Sequence, residues 1–79
     1  MKKNNPTLED TLRNAYQNYR NGDLKTAETL CYKILSINPN YLKTKILLAS
    51  VSAKKKDYIQ AKQLLNEAIN IEPKNVTIL

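Results

Sequence analysis

Apolar residues recur along the chain at intervals of three and four, the spacing that places side chains on one face of an α-helix. The first such stretch contains Leu8, Leu12, Ala15, Tyr16 and Tyr19. Thr7 and Asp10 predict a capping box at its start, because each side chain can accept a bond from the other residue's backbone N–H. Gly22 predicts its end, since glycine adopts the left-handed conformation without steric cost.

A second and broader apolar stripe follows, and its breadth predicts a helix more deeply buried than the first. Its apolar positions are Leu24, Ala27, Leu30, Cys31, Ile34, Leu35 and Ile37. Asp23 is placed to cap its start. Pro39 predicts its end, because the residue before a proline is forced out of helical geometry.

Two further stripes of the same kind occupy the rest of the chain. One consists of Leu42, Ile46, Leu48, Ala49, Val51 and Ala53, and the other of Tyr58, Ala61, Leu64, Leu65, Ala68, Ile69 and Ile71. Asn40 and Asp57 are the predicted caps, and Pro73 predicts the last stop. No stretch alternates as a strand does, so the sequence predicts an all-α fold whose short connections force antiparallel helix pairs.

The second half of the chain repeats the first at a shift of 34 positions. The matching pairs are Leu8 and Leu42, Ala15 and Ala49, Asp23 and Asp57, Ala27 and Ala61, Leu30 and Leu64, Ile37 and Ile71, and Pro39 and Pro73. The alanines fall near the middles of paired helices, where small side chains let two helix axes approach closely. One helix–turn–helix unit, closed by a proline, therefore occurs twice.

Composition sets limits on the class of protein. The 79 residues are enough for one small domain, and 42% hydrophobic content is ordinary for a globular fold. The net charge of +6 favours acidic partners. The basic start Met1–Lys3 lacks the apolar run of a signal peptide, and no apolar segment is long enough to span a membrane. The cytoplasm is the expected location, with no membrane partner.

The side chains present argue against an enzyme. Histidine, the commonest general base, is absent, and a single glycine cannot build a phosphate-binding loop. Cys31 lies on the apolar stripe of the second helix, which predicts a buried and inert thiol. The sequence therefore predicts no catalytic residues, no metal site and no cofactor.

A 34-residue unit of helix, turn, helix and proline resembles the tetratricopeptide repeat. The resemblance is carried at the turns by Gly22-Asp23-Leu24 with Ala27 and by Asp57-Tyr58 with Ala61, and before the prolines by Ile34-Leu35 and Ala68-Ile69. It implies two stacked hairpins of a right-handed α-solenoid, similar to the leading repeats of bacterial tetratricopeptide proteins. Repeat 1 is then 8–41 and repeat 2 is 42–75, with a leader at 1–7 and either a third repeat or a tail at 76–79.

Two departures from the family pattern carry expectations of their own. Lys56 replaces the turn glycine in the second unit, which should cost up to about 1 kcal/mol if that residue is left-handed. Thr11, Asn14 and Asn18 form a polar stripe. This stripe is either the polar outer face that a terminal repeat requires or tolerated polarity on an exposed helix.

The resemblance implies a non-catalytic module that binds a protein or peptide on its concave face, which the first helix of each hairpin lines. The implied peptide-binding residues are Leu12, Arg13, Tyr16, Tyr19, Arg20, Lys43, Ile46, Leu47, Ser50 and Lys54, together with Glu9 and Ala53. An apolar and aromatic floor ringed by cations predicts an acidic segment with apolar anchors as the ligand. The alternative for Leu12 and Ile46 is ordinary packing between the units.

Two other readings stay open. Two repeats are fewer than are usually needed for stability, so the chain is expected to continue into a third repeat or to form a homo-oligomer through its C-terminal end. The residues expected there are Leu65, Ala68, Ile69, Val76, Ile78 and Leu79. Nucleic-acid binding through Lys54–Lys56 with Arg20 ranks lower, because aromatic residues do not interleave with the basic ones.

Overall fold

The computed structural model describes residues 7–71, which form four α-helices. They are α1 (Leu8–Arg20), α2 (Leu24–Ile37), α3 (Leu42–Lys54) and α4 (Tyr58–Ile71). The part of the chain within these bounds contains no strand, which confirms the predicted all-α fold. Residues 1–6 and 72–79, including Pro73, Val76, Ile78 and Leu79, lie outside the described residues, so the leader and tail stay predictions.

The predicted capping box starts α1. The Asp10 N–H donates to Thr7 Oγ1 at 3.1 Å, and the Thr7 N–H donates to Asp10 Oδ2 at 3.2 Å. The Thr11 hydroxyl also donates to the Thr7 carbonyl at 3.1 Å, and Thr11 is buried. Thr11 therefore does not belong to an exposed polar stripe, whereas Asn14 is exposed and Asn18 is half-buried.

The two inter-helix turns have the same backbone construction. Gly22 has φ +87° and Lys56 has φ +67°. The Asp23 N–H donates to the Asn18 carbonyl at 2.9 Å, and the Asp57 N–H donates to the Ser52 carbonyl at 2.8 Å. This six-to-one bond is that of the Schellman motif, which satisfies carbonyls left open at a helix end. Gly22 has the left-handed conformation predicted for it, and Lys56 at the equivalent position has it too.

The caps of α2 and α4 follow the prediction, but that of α3 does not. Asp23 Oδ1 accepts from the Thr26 N–H, and Asp57 Oδ1 accepts from the Gln60 N–H, both at 3.2 Å. The N-cap of α3 is Tyr41, which makes no side-chain capping bond, so the prediction for Asn40 was wrong. The Asn40 N–H instead donates to Asn38 Oδ1 at 3.2 Å, which places Asn40 inside the preceding turn.

The helices pack as two hairpins joined through their middle pair. α1 lies against α2 and α3 against α4, while α2 also packs on α3, and α1 touches α3. α3 is the central helix and has six buried residues, whereas α1 and α2 have three each. α1 and α2 thus have equal numbers of buried residues, although those of α2 are all completely buried, whereas Thr11 and Leu12 of α1 are 9% and 5% exposed.

Small side chains lie where the helices of each hairpin meet. Ala15 and Ala27 are completely buried, and Ala49 and Ala61 at the equivalent positions of the second hairpin are also buried. An alanine at a helix crossing allows the short interaxial distances of close helix packing. The matching alanines found by the 34-residue shift therefore belong to the core of each hairpin.

Candidate functional site

The residues predicted to bind a peptide divide into surface and core groups. Arg13, Tyr16, Arg20, Lys43 and Lys54 are exposed, as is Glu9, while Tyr19, Ile46, Ser50 and Ala53 are half-buried. All of these residues lie on α1 or α3. We call them the α1/α3 face. Most of the predicted set can therefore meet a ligand.

Leu12 and Leu47 do not belong to this face. Leu12 is 5% exposed and Leu47 is 2% exposed, and both lie in the hydrophobic core that the helices share. Their prediction as part of an apolar floor is corrected. For Leu12 the packing alternative applies, whereas Ile46 stays half-buried and keeps a surface.

The apolar part of the α1/α3 face consists of Tyr16, Tyr19 and Ile46. Tyr16 is 39% exposed, and its partial burial raises the pKa of its hydroxyl, with a smaller contribution from Cys31. Tyr19 is half-buried and packs against the core. A tyrosine that is partly covered and partly open offers a ring for apolar contact and a hydroxyl for a hydrogen bond.

Some cations near this face are already paired. Arg13 Nη1 donates to Asp10 Oδ1 at 2.9 Å, and this bond is the main reason that the pKa of the Asp10 carboxyl is lowered. Lys45 Nζ donates to Glu67 Oε1 at 2.7 Å, which ties α3 to α4. Lys55 Nζ donates to Glu28 Oε1 at 2.9 Å, which ties the end of α3 to α2 and raises the pKa of Lys55.

The other cations of the face are not paired in this way. Arg20, Lys43 and Lys54 form no ion pair with any residue between 7 and 71. The basic run is thus divided, since Lys55 is held by Glu28 while its neighbour Lys54 is exposed without a carboxylate partner in that range. Sequence reasoning did not identify these pairs. The signals that could have found them are opposite charges three positions apart on one helix, for Arg13 and Asp10, and opposite charges on neighbouring helices, for the other two pairs.

The two ends of the α1/α3 face carry different charges. Arg20 and Lys54 are related by the 34-residue shift and lie in the last turns of α1 and α3. Glu9 and Lys43 are related by the same shift and lie at the starts of these helices. One end therefore has two cations at equivalent places, and the other has one charge of each sign.

The described residues offer neither an accessible thiol nor a group of metal ligands. Cys31 is completely buried, and burial, followed by the nearby Glu28 carboxylate, raises the pKa of its thiol to about 12. The thiol is thus protonated near neutral pH and shielded from reagents. Residues 7–71 contain no cluster of metal-ligating side chains, and none of the helices in that range is long and apolar enough to cross a membrane.

A second surface is formed by the outer side of α4. Leu65 is 40% exposed and Ile69 is 44% exposed, and Tyr58 lies on the same stripe and is also exposed. Ala68 is completely buried, which corrects its place in that set. Tyr58 was missed because its position in the first turn was assigned to the core.

The repeat itself shows what is unusual about this α4 stripe. Under the 34-residue shift, Leu65 corresponds to Cys31 and Ile69 corresponds to Leu35. Cys31 is completely buried and Leu35 is half-buried, because α3 packs on α2. Within residues 7–71 no helix packs on the equivalent side of α4.

Comparison with known proteins identifies the repeat over most of the chain. A family model described as tetratricopeptide repeat matches residues 18–78, which is more than half of the chain. No curated protein and no solved structure matches it.

Proposed function

Because the chain belongs to the tetratricopeptide repeat family, whose repeats generally mediate protein–protein interaction, we propose that it binds an acidic protein segment with apolar anchors on the α1/α3 face. Stacked hairpins of this kind curve and use the inner side of the curve as a binding surface. The proposed role is non-catalytic. The ligand supplies carboxylates to the cations and apolar side chains to Tyr16, Tyr19 and Ile46.

The observation that supports this proposal most is the combination of half-open tyrosines and exposed cations on the same two helices. Tyr16 is 39% exposed, while Arg20, Lys43 and Lys54 are exposed and form no ion pair within residues 7–71. Tyrosine and arginine contribute more than most residues to interface energies. An acidic segment with apolar side chains would pair with the exposed cations and pack on the tyrosines at the same time.

Selection from a random-peptide library, followed by synthesis of the enriched peptides, tests the proposal. Tyr16→Ala is expected to raise the dissociation constant of such peptides by about tenfold, the effect of losing an interface anchor. Tyr32→Ala is the matched control, because Tyr32 is an exposed tyrosine on α2. Circular dichroism checks that both variants keep their helicity. Failure to enrich any peptide, or equal affinity of Tyr16→Ala and the unmodified chain, contradicts the proposal.

A second candidate function is self-association through the α4 stripe of Tyr58, Leu65 and Ile69. It is supported by the exposure of Leu65 and Ile69, whose counterparts in the first repeat are covered by α3. Two charged residues, Lys62 and Glu67, lie between Tyr58 and Ile69, and Glu67 is paired with Lys45. A second copy would therefore meet an apolar surface of low charge, and two identical stripes suit a two-fold interface.

Nucleic-acid binding ranks below both candidates. Lys55 in the middle of the basic run is paired with Glu28, so the run presents less positive charge than its sequence implies. Stacking of bases requires exposed aromatic rings among the cations, and Lys54–Lys56 has no aromatic residue within it.

A further inference from the structure

The turn between α1 and α2 contains a reactive pair of residues that the proposed function does not use. Asn21 is followed by Gly22, and since the chain has one glycine, this is its single Asn-Gly sequence. We propose that Asn21 is a site of spontaneous covalent modification, at which the asparagine becomes aspartate or isoaspartate. The closed turn prevents the reaction, and local opening of the turn permits it. This proposal does not depend on what the α1/α3 face binds.

The reaction needs only these two residues and water. The Gly22 backbone nitrogen, after losing its proton, attacks Cγ of the Asn21 side chain. The new N–Cγ bond replaces the bond from Cγ to the side-chain nitrogen, which leaves as ammonia with the proton from Gly22. Water then opens the resulting cyclic imide. Addition at the Cγ carbonyl gives aspartate, and addition at the main-chain carbonyl gives isoaspartate, whose backbone runs through the former side chain.

Asn21 is the asparagine at which this attack is least hindered. Glycine has no side chain beside the attacking nitrogen, and apart from chain neighbours a Cβ placed on Gly22 would meet no heavy atom within 4 Å. Both residues are exposed, so water can reach the imide. Asn38 precedes Pro39, whose nitrogen carries no proton, and every other asparagine precedes a residue with a Cβ.

The closed turn keeps the reacting atoms apart. Asn21 has ψ −2°, so along its Cα–C bond the Gly22 nitrogen eclipses the nitrogen of Asn21 itself. The imide requires the Gly22 nitrogen to eclipse Cβ of Asn21 instead, because both atoms belong to one nearly planar ring. Since the substituents of the Cα atom are spaced evenly around this bond, the reaction requires about a third of a rotation about it.

Two hydrogen bonds of the turn oppose that rotation. The Gly22 N–H donates to the Tyr19 carbonyl at 3.1 Å, and the Asp23 N–H donates to the Asn18 carbonyl at 2.9 Å. Rotation about the Cα–C bond of Asn21 turns the Gly22 N–H away from Tyr19 and displaces Asp23 from the end of α1, so both bonds break. Residues 21–23 are all exposed, and opening of an exposed turn requires less free energy than unfolding of the whole molecule.

Each product weakens the turn after it has formed. Isoaspartate lengthens the backbone by one methylene carbon between positions 21 and 22, so the six-to-one bond of the Schellman motif loses its spacing. Aspartate places a carboxylate at the negative end of the α1 dipole. The modified turn therefore closes less well than the original one, and the products accumulate.

Incubation of the full chain in mildly alkaline buffer, with and without denaturing guanidinium chloride, tests the proposal. Digestion at acidic pH and mass spectrometry of the peptides that contain Asn21 detect the mass gain when the amide –NH₂ becomes –OH. In denaturant, Asn21 is expected to react faster than any other asparagine, and Gly22→Ala should remove most of this reaction. In buffer alone, the reaction should be slowed in proportion to the fraction of time that the turn is open.

Two capping variants distinguish local opening from global unfolding. Asp23→Ala removes the acceptor of the Thr26 N–H beside the turn and should speed the reaction in buffer by about fivefold, the effect of losing a typical N-cap. Asp57→Ala is the matched control, because Asp57 accepts from the Gln60 N–H in the same way at the start of α4. It should leave the rate at Asn21 unchanged. Circular dichroism confirms that both variants are folded.

Three outcomes would overturn the proposal. Faster reaction of another asparagine in denaturant would reject Asn21 as the site. Equal rates at Asn21 in buffer and in denaturant would show that the closed turn does not prevent the reaction. Equal acceleration by Asp23→Ala and Asp57→Ala would show that global unfolding permits the reaction, and not local opening of this turn. The first two outcomes are read from the unmodified chain, so they do not depend on the folding of a variant.

Discussion

At the residue scale, the two inter-helix turns differ in the side chain at their left-handed position. Gly22 and Lys56 have positive φ values of 87° and 67° in turns with the same bonding. A left-handed residue with a Cβ costs about 1 kcal/mol relative to glycine. Lys56→Gly is therefore expected to raise the free energy of unfolding in urea by about 1 kcal/mol. Lys56→Ala, which loses the charge but keeps the Cβ, should give no such gain, and an equal gain in both variants would contradict the conformational explanation.

Thr44 provides a second test at the residue scale. It is completely buried, and its hydroxyl finds no hydrogen-bond partner among the described residues. A buried hydroxyl without a partner destabilises the folded state by about 1–3 kcal/mol. Thr44→Val is therefore expected to raise the free energy of unfolding by about 1 kcal/mol.

Thr11→Val is the matched control for this prediction. The Thr11 hydroxyl donates to the Thr7 carbonyl at 3.1 Å, so its removal deletes a bond and should not stabilise the protein. Chemical denaturation of both variants provides the comparison. A loss of stability in Thr44→Val would show that its hydroxyl is satisfied in solution.

At the scale of elements, the helix ends were predictable because their chemistry is local. Glycine after α1 and aspartate before α2 and α4 determine bonds within a few residues, and Gly22, Asp23 and Asp57 all behave as expected. Asn40 did not: its N–H donates to the Asn38 side chain within the turn, and the N-cap of α3 is Tyr41. Two competing polar side chains near Pro39 could not be ranked from sequence.

Burial within α3 was less predictable than its ends. Apolar residues occupy several sides of this helix, so no single stripe identifies the side that faces the core. Leu47 was assigned to the binding surface but is 2% exposed, while its neighbour Ile46 is half-buried. The difference depends on how α2 and α4 are placed around α3. That placement cannot be predicted from the spacing of apolar residues within one helix.

The bond between α3 and α4 leads to a prediction about an element pair. Lys45 Nζ donates to Glu67 Oε1 at 2.7 Å, and the Lys45 side chain is only 13% exposed. Glu67→Gln would leave a largely buried lysine side chain without its counter-charge, so the free energy of unfolding should fall by about 1–2 kcal/mol. Arg13→Gln breaks a pair whose side chains are 69% and 49% exposed, and should cost less than about 0.5 kcal/mol. Equal effects in urea denaturation would show that burial does not strengthen the Lys45 pair.

At the scale of the whole molecule, the two repeats have the same construction, but their second helices differ in the number of helices that pack on them. α2 is packed between α1 and α3, whereas α4 contacts α3 alone among the described helices. The exposed apolar side of α4 therefore corresponds to the side of α2 that packs against α3. Monomeric proteins rarely leave extended apolar patches in water, so this stripe is the place where assembly would begin.

Replacing Leu65 of the α4 stripe by a charged residue should prevent that assembly. If copies pair through Tyr58, Leu65 and Ile69, sedimentation of the full chain should show a larger species as concentration rises, and the melting temperature should rise with it. Leu65→Lys would place an ammonium in the interface and should give a monomer with a concentration-independent melt. Ile37→Lys is the matched control, since Ile37 is an exposed isoleucine at the end of α2 and its change should leave pairing intact. If the unmodified chain sediments as a monomer at every concentration, the stripe does not join two copies of this chain.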